Sequence, residues 1–584
     1  MTNLHMKNSS NYHVYCRRHI FMTAAFFCVS LLLVWRVVDL HVFNKEFLQS
    51  QGDARYLREV SVPEHRGMIT DRRGEPLAIS TPVESIWGNP KELIKARAVW
   101  PKLAKALQID ESVIAQQIVN HATREFVYLK RRVSPNVAQE VAALKIPGVN
   151  SKKEYRRYYP GGEVASHILG FTNIDDAGQE GVELEYDHIL RSKPGSKRVI
   201  IDRLGRIVEN VESVSAPQPG QDLVLSIDRR IQYLAYRELK AAVSKHNAQA
   251  GSAVILNAKT GEVLAMVNQP SYNPNNRQDV NRENLRNRAI TDVFEPGSTV
   301  KPFTIMAALE SGQYQSDTPI DTRPGYFKVG RKTIRDHHNY GLIDVATVIK
   351  KSSNVGASKI ALSMNPQHIW RVFSDAGFGG LSGSHFPGES AGSLTGFRHW
   401  KKIEVATLSY GYGLSVTALQ LARAYTVFAN DGHLPTVSFL RQLPDQRLAE
   451  EGHLPLFQRK TLLKTIEMME AVVKPGGTGV LAKVPGYRVA GKTGTVKKLG
   501  ANGYEDDKYL SVFAGIAPAS DPSLVMVVMI NEPRGEQYYG GAVAAPVFSK
   551  VMSGALRMLD IAPDDITVNS KTRIAYLEES DDDR

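Results

Sequence analysis

Three short motifs contain residue types that together can carry out acyl transfer. The first, EPGSTVKPF, places Ser298 three residues before Lys301. The second, KKSSNVG, contains Ser352 and Asn354 as S-x-N, and the third, VAGKTGTV, contains Lys492 within K-T-G. An S-x-x-K pair alone occurs readily by chance. The order of the three motifs along one chain indicates a single site.

The spacing of Ser298 and Lys301 suits a nucleophile and its base. Residues at i and i+3 share one face of a helix, and Pro302 is tolerated in a first helical turn. Serine needs an adjacent base to act as a nucleophile, but a lysine at its ordinary pKa of about 10.4 is almost fully protonated at pH 7. Burial and a helix N-terminus both disfavour that charge. We therefore expect Lys301 to have a lowered pKa.

The ordered set of motifs resembles that of the penicillin-recognising serine enzymes. The resemblance implies that Ser298 attacks a carbonyl and forms an acyl-enzyme, and that Lys301 takes the serine proton. Ser352 would relay this proton to the leaving amine, and Asn354 would bind Lys301 and a substrate carbonyl. Lys492, on a predicted strand, would attract a substrate carboxylate.

The resemblance also implies a set of substrate-binding groups. Thr495 would hydrogen-bond the substrate carboxylate, and the backbone N–H groups of Ser298 and Thr495 would form the oxyanion hole. Tyrosines in the Gly-rich stretches SYGYG and YYGG either line the acyl-binding cleft or are structural turn aromatics, and both interpretations stay open. The predicted substrate-binding residues are Thr493, Gly494, Thr495, Tyr412, Tyr538 and Tyr539.

The N-terminal half narrows the resemblance to class B penicillin-binding proteins. RGMITDRRGEPLA, RRYYPGGEVASHILGF and GQEGVELEYD are similar to the non-catalytic motifs of that class. In that class this region forms a pedestal, so we expect Arg66, Asp71 and Arg72 to make a structural ion-pair network. SSNVG and SYGYGLSVTALQLARAY resemble the division-specific branch.

That branch implies a septal peptidoglycan D,D-transpeptidase. It would cleave D-Ala-D-Ala on one stem peptide and pass the acyl group to an amine of a neighbouring strand, without a cofactor, and β-lactams would be covalent inhibitors. Its expected partners are a septal glycosyltransferase and other divisome membrane proteins. The alternatives are an elongation-specific class B transpeptidase and a catalytically silent division scaffold. A β-lactamase is disfavoured because no glutamate between the second and third motifs lies in an E-x-x-L-N context.

The first forty residues predict a membrane anchor. Ile20–Val38 is almost entirely apolar and about as long as a bilayer-spanning helix. Lys7, Arg17 and Arg18 precede it, which predicts a cytoplasmic N-terminus. No A-x-A-like site follows, so a retained anchor is favoured over a cleaved signal peptide. By resemblance, the chain is a single-pass inner-membrane protein with a periplasmic catalytic domain at the division septum.

The remaining pattern predicts an α+β fold. Asp228 is a predicted N-cap, because residues 229–243 after it have helical spacing. Strand-like segments lie on both sides of a long helical middle, so an antiparallel sheet flanked by helices would be closed by strands distant in the chain. A Ser-, Pro- and Gly-rich linker, Glu212–Gln221, would separate this domain from an extended, sheet-rich pedestal. The predicted divisions are a cytoplasmic tail, a transmembrane helix, the pedestal, the transpeptidase domain and a flexible acidic tail, at residues 1–18, 19–38, 39–215, 221–560 and 561–584.

Composition excludes several other classes. The net charge is +12, but no nucleic-acid-binding motif accompanies it, so anionic lipid is the preferred explanation. Cys16 and Cys28, the only cysteines, both lie in the first forty residues, which leaves no internal disulfide for the rest of the chain. The adjacent His337 and His338 do not have the spacing of metal ligands, and we predict no metal site.

Overall fold

The chain divides into two compact units that do not follow chain order. One consists of Met1–Glu64, Glu84–Glu154 and Ser192–Gln218, and the other of His65–Val83, Tyr155–Arg191 and Pro219–Arg584. The predicted acidic tail lies largely outside the described residues. The computed structural model describes residues 8–48, 50, 57–201, 207–278, 280–442, 455–500 and 503–565.

The first unit begins with the predicted hydrophobic helix. An α-helix spans Asn8–Val38 and continues as a π-helical turn over Asp39–Phe43. The segment Tyr15–Phe43 contains an 18-residue window with a mean hydropathy of 2.1, and none of that window is buried. By length and composition this helix can cross a membrane.

A three-stranded antiparallel sheet follows in the first unit. Its strands are Leu57–Val62, Gly195–Ile201 and Ile207–Ser215, in that order. The last strand includes the start of the predicted linker, so the linker assignment is wrong for residues 212–215. The β-branched residues of this segment, IVENVESVS, favour a strand and outweigh its serine content.

The first unit also contains helices that the sequence analysis did not predict. The helices Trp100–Leu107, Glu111–Asn120 and Pro135–Ala143 pack with the strand Val127–Val133. The spacing of Trp100, Leu103 and Leu107 is helical, and this pattern could have predicted the helix Trp100–Leu107. The fully buried part of this core includes Ile86, Leu93, Leu103, Leu107, Ile114 and Ile118.

The second unit is built on a five-stranded antiparallel sheet. Leu524–Asn531 pairs with Ala250–Asn257, so strands nearly 270 positions apart in the chain are neighbours. This confirms the predicted α+β fold with a sheet closed by distant strands. The complete strand order is Val263–Gln269, Ala250–Asn257, Leu524–Asn531, Gly503–Ala517 and Ala490–Gly500.

Helices cover both faces of this sheet. On one face, Arg229–Lys245 packs with Ala545–Met558. Asp228 caps the first of these by accepting a hydrogen bond from the backbone N–H of Arg230, as its position before the helical spacing predicted. On the opposite face lie the helices Lys301–Glu310, Val345–Lys351, Asn354–Ser363, Pro366–Asp375, Lys402–Leu408, Ala418–Ala429 and Arg459–Val473.

A buried ion-pair network stabilises the second unit. The Arg66 guanidinium is 1% exposed and lies 2.7 Å from Glu183 and 2.6 Å from Asp187. Arg157 binds the other oxygen of Glu183 at 2.6 Å. Arg66 therefore has the structural ion-pairing role that the sequence predicted.

The other two residues of the expected network behave differently. Arg72 pairs with Glu262 at 3.6 Å. Asp71 instead accepts hydrogen bonds from the backbone N–H groups of Arg73, Glu75 and Arg229. The Asp71 carboxylate therefore stabilises a turn. The sequence pattern of alternating charges does not show whether an acid binds backbone N–H groups or forms an ion pair.

We expect Arg66→Ala to destabilise the second unit by about 3–5 kcal/mol, because it leaves the Glu183 and Asp187 carboxylates short of a buried cation. Calorimetric unfolding of the purified protein would measure the loss. Arg198→Ala, in an exposed pair with Glu212, is the matched control and should cost at most about 1 kcal/mol. Equal effects of the two substitutions would contradict the prediction.

Candidate active site

The S-x-x-K motif lies where a short 3₁₀ turn becomes an α-helix. Gly297–Val300 forms the turn, and the nucleophile helix, Lys301–Glu310, follows it. The helix therefore starts three residues later than Ser298, and Pro302 occupies its first turn, where no intrahelical N–H is needed. Ser298 is half-buried, so its side chain is accessible from solvent.

Neighbouring segments pack so closely against this turn that glycine occupies three of the contact positions. Gly297 has φ 55°, and a Cβ there would lie 2.4 Å from Cγ2 of Val496. A Cβ on Gly411 would lie 2.0 Å from the carbonyl oxygen of Gly297, and one on Gly494 would lie 3.0 Å from that of Pro296. The turn is therefore packed between the loop containing Gly411 and the strand containing Gly494.

The structure brings Lys301 together with the S-x-N motif. Its Nζ lies 2.8 Å from Oδ1 of Asn354, 2.5 Å from the carbonyl oxygen of Ser352 and 3.2 Å from Oγ of Ser352. The side chain has no exposed surface. An uncharged amine has two N–H donors and one lone pair, so it can donate to the two carbonyl oxygens and accept from a hydroxyl.

Burial lowers the pKa of Lys301 well below its ordinary value, and the positive charge of Lys492 lowers it further. The Asp336 carboxylate opposes this shift. Burial also lowers the pKa of Lys492, to about 7. The lowered pKa favours the neutral amine of Lys301, which is the form that a general base requires.

A strained turn positions Ser352. It follows the helix Val345–Lys351 and has a left-handed conformation, with φ 61°. Ser353 then caps the helix Asn354–Ser363, because its Oγ accepts from the backbone N–H of Gly356 at 2.9 Å. The left-handed residue turns the chain so that Ser352 and Asn354 both reach Lys301.

Asp336, which the sequence analysis did not single out, fixes the S-x-N motif. Its Oδ2 accepts from Oγ of Ser353 at 2.5 Å, and its Oδ1 accepts from the backbone N–H groups of Asn354 at 2.5 Å and Val355 at 3.0 Å. A carboxylate is favoured at a helix N-terminus. In the sequence, Asp336 directly precedes His337 and His338, and no local pattern links it to the helix that begins at Asn354.

The neighbouring histidines contact aromatic rings. The His337 ring lies 5.9 Å from that of Tyr539, and the His338 ring lies 6.1 Å from that of Tyr340. Across the described ranges, no group of three or more His, Cys, Asp or Glu side chains is arranged to hold a metal ion.

The K-T-G strand, Ala490–Gly500, is the edge strand of the central sheet. Lys492 is fully buried, and its Nζ donates to the carbonyl oxygen and Oγ1 of Thr493 at 3.1 and 3.3 Å. Oγ1 of Thr495 accepts from the backbone N–H of Gly540 at 3.0 Å, so its own proton remains available to donate. Gly494 separates the two threonines and adjoins the nucleophile turn.

The predicted tyrosines belong to two separate aromatic groups. Tyr538 stacks on Tyr539 at 4.5 Å and on Tyr509, which was not predicted, at 4.1 Å. This group adjoins the K-T-G strand, because the next residue after Tyr539 donates to Thr495. Tyr412 belongs to the other group, with its ring 5.5 Å from that of Tyr504, and it is close enough to Tyr509 and to Lys497 of the K-T-G strand to interact with them electrostatically.

Comparison with known proteins agrees with this geometry. Residues 251–553 match the penicillin binding protein transpeptidase domain, and residues 61–225 match the penicillin-binding protein dimerisation domain. The two matches together cover most of the chain.

Relatives match over nearly their whole length. "Probable peptidoglycan D,D-transpeptidase PbpC" of Pseudomonas aeruginosa is 43% identical over 94% of this chain and 96% of its own. "Peptidoglycan D,D-transpeptidase FtsI" of Escherichia coli K12 is 43% identical over 93% of this chain and 92% of its own.

A solved structure shares the fold of the second unit. The transpeptidase domain of Burkholderia pseudomallei penicillin-binding protein 3 is 42% identical, with a TM-score of 0.54 over 59% of this chain and 98% of that one. With both domain matches and full-length relatives, the chain belongs to the class B penicillin-binding proteins, as a relative of the FtsI, or penicillin-binding protein 3, type.

Proposed function

We propose that this protein is the peptidoglycan D,D-transpeptidase of the division septum, and that it works through an acyl-enzyme on Ser298. The observation that carries the proposal is the buried Nζ of Lys301, which is shared by Ser352 and Asn354 one helical turn from that serine. β-Lactams would acylate the same residue. An elongation role is the alternative within the same class.

The proposed acylation step uses three side chains. Ser298 Oγ attacks the carbonyl carbon of the penultimate D-Ala, and neutral Lys301 takes its proton. The C–N bond to the terminal D-Ala breaks, and Ser352 passes the proton to the departing amine. The backbone N–H groups of Ser298 and Thr495 would stabilise the oxyanion, and each such donor is worth about 2.7–4 kcal/mol.

Recognition of the donor peptide depends on its terminal carboxylate. We assign this role to Lys492 and to the hydroxyl of Thr495. Because the pKa of Lys492 is lowered to about 7 in the free enzyme, an adjacent carboxylate would favour its protonated form. The Tyr538 and Tyr539 pair would border the same end of the cleft, with Thr493 and Gly494 along the strand. Tyr412 would border the cleft near Lys497.

Asp336 acts as a positioning residue in this proposal. Its carboxylate holds the backbone of Asn354 and the side chain of Ser353, and Asn354 in turn accepts from Lys301. The negative charge also raises the pKa of Lys301. Asp336 would thus affect both the geometry and the protonation of the base.

The remaining assignments concern the membrane topology of the enzyme and its partners in the cell. The hydrophobic helix would anchor the chain in the inner membrane, with residues 1–18 cytoplasmic, a pedestal over residues 39–215 and a periplasmic transpeptidase domain over residues 221–560. Its partners would be a septal glycosyltransferase and other divisome membrane proteins. The support is the apolar helix, the basic residues before it and the similarity to FtsI.

Replacing the nucleophile tests the chemistry and the cellular role together. Ser298→Ala should abolish covalent labelling by fluorescent penicillin, whereas Ser311→Ala, at the far end of the same helix, should label normally.

Cells depleted of the native protein and supplied with Ser298→Ala should grow as filaments. Round cells would move the assignment to elongation, normal division would support the silent scaffold, and an adduct on another residue would refute the nucleophile.

The pH dependence of acylation tests Lys301. The pKa of the active-site lysine is lowered, so the reactive neutral form is present above that pKa and disappears as the pH falls through it. The second-order rate of penicillin acylation should therefore decline toward acidic pH. Lys301→Arg keeps the charge but supplies no base, and near wild-type acylation by this variant would contradict the assigned role.

Asp336→Asn should slow penicillin acylation by about tenfold or more, because charged hydrogen bonds typically contribute about 1.5–3 kcal/mol. Removing the negative charge also lowers the pKa of Lys301 further, so the acidic decline should move to lower pH. Asp344→Asn is the matched control, since Asp344 caps the preceding helix through the backbone N–H of Thr347. An unchanged pH profile in Asp336→Asn would show that the residue has no electrostatic role.

A further inference from the structure

A large cavity adjoins the nucleophile turn and has no place in the acylation step. Its volume is about 990 Å³. It lies beside the C-terminal half of the K-T-G strand and the segment that leads into Ser298. The charged residues that line it include Arg286, Arg288, Asp292, Glu295, Lys497 and Lys498.

Oppositely charged side chains compensate the cations of this cavity. Arg286 and Arg288 lie 2.9 and 3.2 Å from Asp292. Lys497 lies 2.5 Å from Asp506. Lys498 pairs with Glu532. A bound molecule would therefore not find an unpaired cation among these four side chains.

Glu295 is different, because neutral groups hold its carboxylate. Oε1 accepts from the backbone N–H of Gly413 at 2.8 Å, and Oε2 accepts from the hydroxyl of Tyr504 at 2.9 Å. No lysine, arginine or histidine within the described part of the chain forms an ion pair with it. The side chain is half-buried, and burial raises its pKa. The cavity thus presents one fixed, uncompensated negative charge.

That charge lies close to the reacting serine. Glu295 precedes Ser298 by three residues, so their Cα atoms are at most about 11 Å apart even in a fully extended chain. Gly297, between them, packs on Val496, which itself lines the cavity. A cation bound at Glu295 would therefore lie near the turn that carries Ser298.

We propose that the cavity binds the acceptor stem peptide and that Glu295 binds the ammonium group of its attacking amine. This inference rests on the proposed transpeptidase function. It explains why a carboxylate without a cationic partner is kept beside the nucleophile. The ligand class is a peptide or amino acid with a primary ammonium group.

The acceptor step balances without a further reactant. The bound ammonium releases one proton to solvent and becomes a neutral amine. Its nitrogen attacks the acyl carbon, a C–N bond forms, and the bond from that carbon to Ser298 Oγ breaks. The second amine proton passes through Lys301 to Oγ, which regenerates the free serine.

The test uses the full-length protein in detergent with an N-acyl-D-alanyl thioester as donor. D-Alanine and D-lactate serve as acceptors, because they differ only in an ammonium group against a hydroxyl group. Glu295→Gln should raise the KM for D-alanine at least tenfold, as expected from loss of a charged hydrogen bond. Its use of D-lactate, its thioester hydrolysis and its penicillin acylation should change less than threefold.

Glu310→Gln is the matched control, since that half-buried carboxylate also accepts a backbone N–H, from Gln458, but lies outside the cavity. It should behave as the wild type with both acceptors. An unchanged D-alanine KM in Glu295→Gln would overturn the inference. Parallel losses of penicillin acylation and of both acceptor reactions would also overturn it, because Glu295 would then only support the nucleophile turn. A wild type that neither acylates nor transfers would instead refute the proposed function itself.

Discussion

The buried amine of Lys301 imposes the main constraint on the second unit. An ionised lysine without partners inside a protein is strongly unfavourable, so burial favours a neutral and hydrogen-bonded side chain. Its partners, Ser352 and Asn354, come from another part of the chain. The helices on either side of the S-x-N motif must therefore pack close to the nucleophile helix, and the carboxylate of Asp336 holds the motif in that position.

The antiparallel sheet adds a second lysine to this arrangement. Pairing of distant strands places the K-T-G strand at the sheet edge, where Gly494 and Gly297 allow it to contact the nucleophile turn. Lys492 is then close enough to disfavour a positive charge on Lys301.

Local sequence patterns predicted the parts of this architecture that depend on nearby residues. The cap at Asp228, the helix after it and the antiparallel strands follow from spacing and turn residues. Asp336 and Tyr509 escaped prediction because their roles arise only when distant segments pack together. The helices of the first unit were missed for another reason: their short amphipathic segments lie between Gly-rich motifs that dominate the pattern.

At Ser352, the left-handed backbone conformation favours one residue for stability, and catalysis requires another. Such a conformation costs an ordinary residue roughly 1–2 kcal/mol, whereas glycine adopts it freely. On backbone grounds, glycine is thus the more stable residue at this position, but it lacks the hydroxyl that faces Lys301. A laboratory selection for thermal stability alone would therefore favour replacement of Ser352 by glycine. If serine is retained at this position during evolution, the cause is selection for catalytic turnover, because folding alone favours glycine.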